Sequence, residues 1–147
     1  MNCKYICTVA LFSALLTVFA GPLFAFGSLS AAEVRALFSG QTAAGEFRAG
    51  NRKHIDPSGV STFYEPFVMY FSTDGTVHSI RGKKKKAGKW RVDEKGNHCV
   101  QWTGKKEGCA PIIKEGRVYK KYMRKKGGRD KWVKTYTRFR PGNPDNL

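Results

Sequence analysis

The chain has 147 residues, with 27 Lys and Arg against 11 Asp and Glu and a formal net charge of +16. This length predicts one domain with a modest core, and it excludes a large enzyme, a multi-pass membrane protein and a repeat array. A hydrophobic fraction of 41% and an aromatic fraction of 13% are too high for a chain that is disordered throughout.

The first 27 residues have the pattern of a secretory signal peptide. Lys4 gives a short positive start, and an apolar run that Pro22 interrupts follows it. Ala25-Phe26-Gly27 places small residues at the minus-three and minus-one positions, which predicts cleavage after Gly27 and a periplasmic or secreted protein. The alternative is an uncleaved anchor, because the run has about 18 residues, near the lower limit for spanning a bilayer. Residues 28–147 are then expected to form a single β-barrel domain.

A short helix is predicted directly after Ser30. Ser30 and Glu33 have the spacing of a capping box, and Val34, Leu37 and Phe38 follow at helical spacing. We expect this helix to end near Ser39-Gly40.

The remainder of the chain has the pattern of β-strands separated by glycine-containing turns. Asp74-Gly75 is a strong hairpin signal, and Pro66 within the longest apolar segment predicts an edge position or a bulge. No helix-length pattern separates the strands, so the expected fold is mainly β: one short N-terminal helix and about eight antiparallel strands in a meander that forms a closed or nearly closed, lipocalin-like barrel. The candidate strands are residues 41–47, 62–71, 76–81, 87–93, 98–103, 109–114, 117–123 and 130–139.

Two cysteines, Cys99 and Cys109, follow the signal segment. In an exported protein an even pair predicts a disulfide, and Gly104 and Gly108 bracket a polar tip that would let the pair face each other across a hairpin. The pair has neither a second cysteine couple nor histidines at zinc spacing, and it is not a C-x-x-C. We therefore expect a structural disulfide and no metal site.

Several short motifs occur in an order that resembles a family of small exported proteobacterial proteins of unknown function. They are Gly40-Gln-Thr42, Asp74-Gly75-Thr76, Gly88-Lys-Trp90, Cys99-Val-Gln-Trp102 with Cys109, and Gly142-Asn-Pro144. The resemblance implies an envelope location and a small β-rich domain, and it implies no catalytic residues. Gly88-Lys-Trp90 is also similar to the G-x-W motif of lipocalins, although there the motif lies on the first strand.

Enzymatic patterns are weak. The sequence has no Gly-x-Ser-x-Gly and no phosphate-binding loop. His54 with Asp56, or Glu65 with Asp74, could supply acid–base pairs, but polar residues in polar loops are more often solvated surface. The interpretation is a non-enzymatic protein without a cofactor.

Positive charge is concentrated in the second half of the domain. Residues 81–147 carry 22 bases and six acids, whereas residues 28–80 carry four bases and five acids. Most of the bases fall in predicted turns, and together they would attract anions if the turns converge at one end of a barrel. The plain alternative is a solvated basic surface without a ligand. The predicted anion-binding residues are Lys83, Lys84, Lys85, Lys86, Lys105, Lys106, Lys120, Lys121, Arg124, Lys125, Lys126, Arg129 and Lys131.

The last strand adds a predicted aromatic and basic face. By period-two alternation Trp132, Lys134, Tyr136 and Arg138 share one side, and Phe139 lies on the opposite, more core-like side. Such a face could stack rings and neutralise phosphates. The alternative is that its aromatic residues fill the barrel while the lysine stems extend to solvent.

The functional prediction is an exported binding module for an anionic envelope component, such as a lipid headgroup, lipopolysaccharide or an acidic glycan. A protein-binding inhibitor or assembly factor with an acidic partner is the alternative, and a carrier of a small ligand is the third hypothesis. Nucleic acid is disfavoured because the signal directs the protein away from it, and peripheral contact with a membrane is an open option. The sequence does not determine the oligomeric state.

Overall fold

A computed structural model describes residues 27–48, 54–55, 61–62, 64–124 and 130–147. For residues 54–55, 61–62, 123–124 and 130–133 the description covers the backbone alone. The predicted signal segment up to Phe26 lies outside these ranges, and Gly27 pairs with Lys114 in the first strand.

The predicted helix is present and begins where the capping box places it. Helix α1 spans Ala31–Phe38, with Ser30 as its N-cap. The Ser30 Oγ accepts a hydrogen bond from the Glu33 backbone N–H, and a Glu33 carboxylate oxygen accepts one from the Ser30 N–H at 2.7 Å. These two bonds satisfy amides that the first helical turn leaves without partners.

The rest of the described chain is strand and turn, as predicted. All strand pairs are antiparallel, and ten strands form one sheet in the order β1-β10-β11-β12-β2-β5-β6-β7-β8-β9. The prediction of about eight strands is therefore slightly low. The strands are β1 Gly27–Ser28, β2 Gln41–Arg48, β3 His54–Ile55, β4 Ser61–Thr62, β5 Tyr64–Phe71, β6 Thr76–Arg81, β7 Lys84–Val92, β8 His98–Trp102, β9 Gly108–Ala110, β10 Ile112–Glu115, β11 Val118–Arg124 and β12 Asp130–Pro141, with β3 and β4 paired separately.

The sheet curls into an open barrel of the lipocalin-like type. Strands β9 and β10 lie near opposite ends of the sheet order, yet only Pro111 separates them in the chain. The two ends of the sheet must therefore approach each other. Proline suits this junction because it has no N–H for either ladder. The meander, with its last strand β12 beside β2, matches the expected fold class.

Pro66 predicts an edge position or a bulge, but β5 is an interior strand, and its pairing with β2 and β6 shows no register shift. It pairs with β2 along its whole length, and its pairing with β6 begins only at Val68 opposite Ile80. Pro66 lies beyond that point and is exposed, so no neighbour on the β6 side requires its missing donor. The missing N–H of Pro66 therefore affects only the N-terminal end of β5, where β6 is not paired with it.

The core lies inside the curl, and α1 covers one end of it. The Phe38 ring packs 4.9 Å from the Phe71 ring, 4.3 Å from His98 and 5.1 Å from Tyr136, measured between centroids. Phe38, Phe71, Met69 and Tyr136 are fully buried. Side chains therefore fill the helix-capped half of the barrel.

Candidate functional site

Two lysine-rich hairpins lie at the barrel end opposite α1, which we call the open end. The turn after β6 and the turn after β8 follow strands that run in the same direction, and alternate turns of a meander lie at the same end of the sheet. The exposed residues Lys83, Lys84, Lys85, Lys86, Lys105 and Lys106 form what we call the lysine rim.

A surface depression connects the two hairpins of the lysine rim. It has a volume of about 290 Å³ and is lined by Lys85, Lys86, Lys105 and the Trp102 ring, together with Ala87 and Thr103. No carboxylate of the part of the chain that the structure describes belongs to this lining. Like charges held this close raise the positive potential over the open end.

The remaining predicted anion-binding residues do not all belong to this surface. Lys120 is ion-paired with Glu115, and this hydrogen bond raises the pKa of Lys120. Lys121 is only 5% exposed, so its prediction as a surface cation is wrong. Arg124 is the last residue of β11 and Lys131 the second residue of β12, each described by its backbone alone. Lys125, Lys126 and Arg129 lie outside the described residues.

A second cavity opens beside the lysine rim and enters the barrel. We call it the cleft; it has a volume of about 200 Å³. Strands β2, β5, β6, β7, β8 and β12 each contribute to its wall. The described residues of its lining include three aromatic rings and four cationic side chains and no carboxylate. They are Phe47, Phe67, Ser79, Arg81, Lys84, Lys86, Trp102 and Lys134.

Lys134 is the cation with the least polar surroundings in the cleft. Its Nζ lies 3.1 Å from the Met69 Sδ and 5.0 Å and 5.8 Å from the ring centroids of Phe67 and Trp102. No carboxylate of the described residues lies within ion-pairing distance of it. Burial, and then repulsion by Arg81 and Lys86, lowers the pKa of Lys134 to about 7. A thioether and ring faces are weak partners for an ammonium, and an anion would satisfy its donors better.

Among the described residues, Arg81 is the only cation of the cleft with an acidic partner. Its Nε lies 3.1 Å from a Glu65 carboxylate oxygen, although without hydrogen-bond geometry, so the contact is an ion pair only. The Arg81 guanidinium also stacks 4.8 Å above the Phe47 ring. Glu65 therefore belongs to this pair, and Asp74 instead accepts hydrogen bonds from Thr76 in its turn. The two carboxylates do not form the acid–base pair considered from the sequence.

Below the cleft the barrel interior holds a second buried lysine. The Lys121 Nζ lies 3.2 Å from the His98 Nδ1 and 3.4 Å from the Gly108 carbonyl oxygen, to which it donates. Burial lowers the pKa of Lys121 to about 7, with a further contribution from Lys134. The pKa of His98 is well below its ordinary value, first because of burial and then because of the two lysines. At neutral pH His98 is therefore uncharged.

The aromatic and basic face predicted for the last strand is interrupted. Lys134 and Tyr136 point inward, but a bulge between Tyr136 and Arg138 shifts the alternation, so Arg138 is exposed and Phe139 packs on the core. The single face from Trp132 to Arg138 is therefore wrong, because a bulge adds one residue to one strand and reverses the parity beyond it. The side chain of Trp132 lies outside the description.

The disulfide predicted across the β8–β9 hairpin is present. Cys99 and Cys109 are directly opposed in the ladder and joined at an S–S distance of 2.05 Å. Within the described ranges, one group of His, Cys, Asp or Glu has ligand atoms close enough for a metal, namely Asp93 with these two cysteines. Their sulfurs are bonded to each other, so they are not thiolate ligands.

Sequence reasoning missed Phe47, Phe67, Ser79, Arg81 and Trp102 as cleft residues. One signal was present: on β7, Lys84 and Lys86 have the same parity as the core residue Trp90 and therefore face the barrel interior. The aromatic partners come from strands distant in the chain, which no local pattern connects.

A scan of known family models and a search of curated proteins found no match to this chain. Within the described ranges, no helix combines the length and hydropathy needed to traverse a bilayer.

Proposed function

We propose that this protein is an exported, non-enzymatic binding module whose lysine rim engages an anionic component of the cell envelope. The observation that carries the proposal is the convergence of the lysine rim at the open end of the barrel, around two depressions. Among the described residues, no carboxylate lines either of them. A cationic surface of this kind attracts phosphates, sulfates and carboxylates over about a Debye length, roughly 10 Å at 0.1 M salt.

The N-terminal segment and the disulfide support the export part of the proposal. Disulfides persist in oxidising compartments, and Cys99–Cys109 is such a bond. In the envelope the abundant anions are phospholipid headgroups, lipopolysaccharide phosphates and acidic glycans. The net charge of +16 favours binding to any surface that displays many of these groups.

A charge-matched pair of variants tests the role of the lysine rim. The rim variant carries Lys83→Glu, Lys105→Glu and Lys106→Glu, which lie outside the lining of the cleft. The control variant carries Lys89→Glu, Lys95→Glu and Lys114→Glu, which are exposed on the outer face or toward the helix-capped end. Both variants lose the same net charge, so a difference between them reports the position of the charges.

The measurement is co-sedimentation with phosphatidylglycerol vesicles and with lipopolysaccharide, at salt concentrations from roughly 50 to 500 mM. We expect the rim variant to lose at least about tenfold in affinity and the control less than about threefold, with binding of the wild-type protein weakening as salt rises. Equal losses in both variants, or salt-insensitive binding, would reject the proposal. Capture of an acidic envelope protein that persists in high salt, with no vesicle binding, would instead favour the inhibitor or assembly hypothesis.

A further inference from the structure

We infer that the cleft is a discrete binding site for a phosphate monoester attached to a small apolar or ring-shaped body. This inference rests on the proposed function and deepens it, because it assigns one anionic group to one pocket rather than many groups to a surface. The cleft joins a cationic wall to an aromatic wall, and both walls come from side chains that the strands hold in fixed positions.

The charge of the cleft favours a phosphate over a carboxylate. Arg81, Lys84, Lys86 and Lys134 line it, and the one nearby carboxylate, Glu65, neutralises only Arg81. A phosphate monoester carries a charge of about −1.5 to −2 near neutral pH, whereas a carboxylate carries one negative charge. A monoester also offers three acceptor oxygens, enough for Lys134 and one rim lysine together.

The position of Lys134 indicates where the phosphate would lie. Its ammonium group has three donors, and the contacts that it makes are to a thioether sulfur and two ring faces. Keeping Lys134 protonated in this pocket is costly, which is why burial, and then repulsion from Arg81 and Lys86, lowers its pKa to about 7. A phosphate oxygen at this point would accept from Lys134 and offset both effects, so that the bound anion favours the charged lysine.

The shape and size of the cleft determine what the phosphate is attached to. Phe47, Phe67 and Trp102 give the cleft its apolar surface. Arg81 lies over the Phe47 ring and Lys134 over the Phe67 ring, so Trp102 is the ring against which an apolar or sugar-like body would stack. A volume of about 200 Å³ is below the range of about 300–1,000 Å³ that drug-sized ligands occupy. Beneath it, Met69, Phe71 and Tyr136 are fully buried, so an acyl chain has no room in the interior. The site suits a headgroup or a small ester rather than a lipid tail, which argues against a carrier of the lipocalin kind.

Phenyl phosphate is the probe that matches both walls of the cleft. We propose titration calorimetry of the protein with phenyl phosphate, inorganic phosphate and benzoate at one pH and ionic strength. Phenyl phosphate is expected to bind at least about tenfold more tightly than either of the other two, because inorganic phosphate lacks the ring and benzoate carries a single negative charge in place of the phosphate. Equal binding of phenyl phosphate and inorganic phosphate would overturn the assignment of the aromatic wall.

Lys134→Met tests the cationic wall of the cleft, and Trp102→Leu tests its aromatic wall. Lys134→Met removes the ammonium with little change in side-chain length, and Lys89→Met, at an exposed position on the outer face of β7, is the matched control. We expect Lys134→Met to weaken phenyl phosphate binding at least about tenfold and Lys89→Met less than about twofold. Trp102→Leu should reduce the preference for phenyl phosphate over inorganic phosphate while leaving inorganic phosphate binding within about twofold. If Lys134→Met does not fold, the Trp102→Leu variant still tests the cleft.

The outcomes distinguish failure of the cleft from failure of the proposed function. If the rim variant loses vesicle binding but retains phenyl phosphate binding, both proposals are supported. If vesicles bind through the lysine rim and phenyl phosphate does not bind, or binds the Lys134→Met variant equally well, the cleft assignment is overturned and the proposed function stands. If phenyl phosphate binds through Lys134 and vesicles do not bind, the proposed function fails and the cleft is a site for a free phosphate ester. Vesicles containing phosphatidic acid, compared with phosphatidylglycerol, distinguish a lipid headgroup from a free ester, since only phosphatidic acid presents a monoester.

Discussion

Replacing the buried Lys121 by methionine should stabilise the protein at neutral pH and destabilise it at alkaline pH. Lys121 is 5% exposed and has no carboxylate partner among the described residues. Its pKa is lowered from 10.5 to about 7, mainly by burial. Between these values the unfolded chain binds a proton at this lysine and the folded chain does not, so the stability of the wild-type protein rises with pH across that window.

The magnitude follows from the size of this pKa shift. At about 1.4 kcal/mol per pKa unit, folding at pH 7 costs roughly 5 kcal/mol at Lys121. The Lys121→Met variant avoids that cost but leaves the His98 Nδ1 without its partner, which costs about 1–3 kcal/mol. We therefore expect the variant to be more stable than the wild-type protein by about 2–4 kcal/mol at pH 7. Near pH 10.5 the unfolded chain also loses the Lys121 proton, so the cost of deprotonating Lys121 on folding disappears. The variant should then be less stable than the wild-type protein by about 1–3 kcal/mol, through the loss of the His98 contact.

Urea unfolding followed by tryptophan fluorescence, with the disulfide intact, measures this difference between about pH 7 and pH 10.5. Lys105→Met is the control, because the exposed Lys105 should give a difference near zero that does not change with pH. Tyrosine ionisation occurs in all three proteins and cancels in the comparison. A Lys121→Met variant that is destabilised equally at both pH values would refute the reasoning, since it would mean that Lys121 is charged and well paired in the folded protein.

Three further predictions concern the fold. Reduction of Cys99–Cys109 should lower the free energy of unfolding by about 2–3 kcal/mol, measured by urea unfolding with and without reductant, since the bond closes a short loop; an unchanged midpoint would contradict this. Gly45→Ala should lower the free energy of unfolding by at least about 3 kcal/mol, because a Cβ there would lie 1.9 Å from the Thr135 carbonyl oxygen. Gly104→Ala is the comparison in thermal unfolding: its Cβ meets no described atom within 4 Å, so only its left-handed φ of +70° is penalised, by about 1–2 kcal/mol. Ser30→Ala should lower the free energy of unfolding by about 1 kcal/mol, because the helix loses its N-cap. In thermal unfolding followed by circular dichroism, its midpoint should be lower than that of the control variant Ser28→Ala.

The fold class was predictable because its signals are local. The capping box of Ser30 and Glu33, the Asp74-Gly75 turn and the Cys99–Cys109 hairpin each involve residues no more than about ten positions apart. Chain geometry alone favours these structures, since loop closure over so short a distance is inexpensive. Recurrent turns between apolar segments then indicate an antiparallel meander. Lys83, Lys105 and Lys106 could be named for the same reason, because they lie in the hairpin connections and turn residues are exposed. Lys84, Lys85 and Lys86 instead lie on β7, which begins three residues before the predicted strand.

The cleft and the buried lysines depend on the tertiary structure. Period-two alternation predicts which residues share a face of a strand, but it does not predict which face lies inside the barrel. The bulge before Arg138 also reverses the alternation within one strand. Lys121 and Lys134 have the same sequence character as the rim lysines, yet they lie inside the barrel with pKa values of about 7. The sequence by itself determined a basic, disulfide-bonded β domain. Only the tertiary structure decided which cations are solvated and which face a pocket, because desolvation and the proximity of other charges depend on strands far apart in the chain.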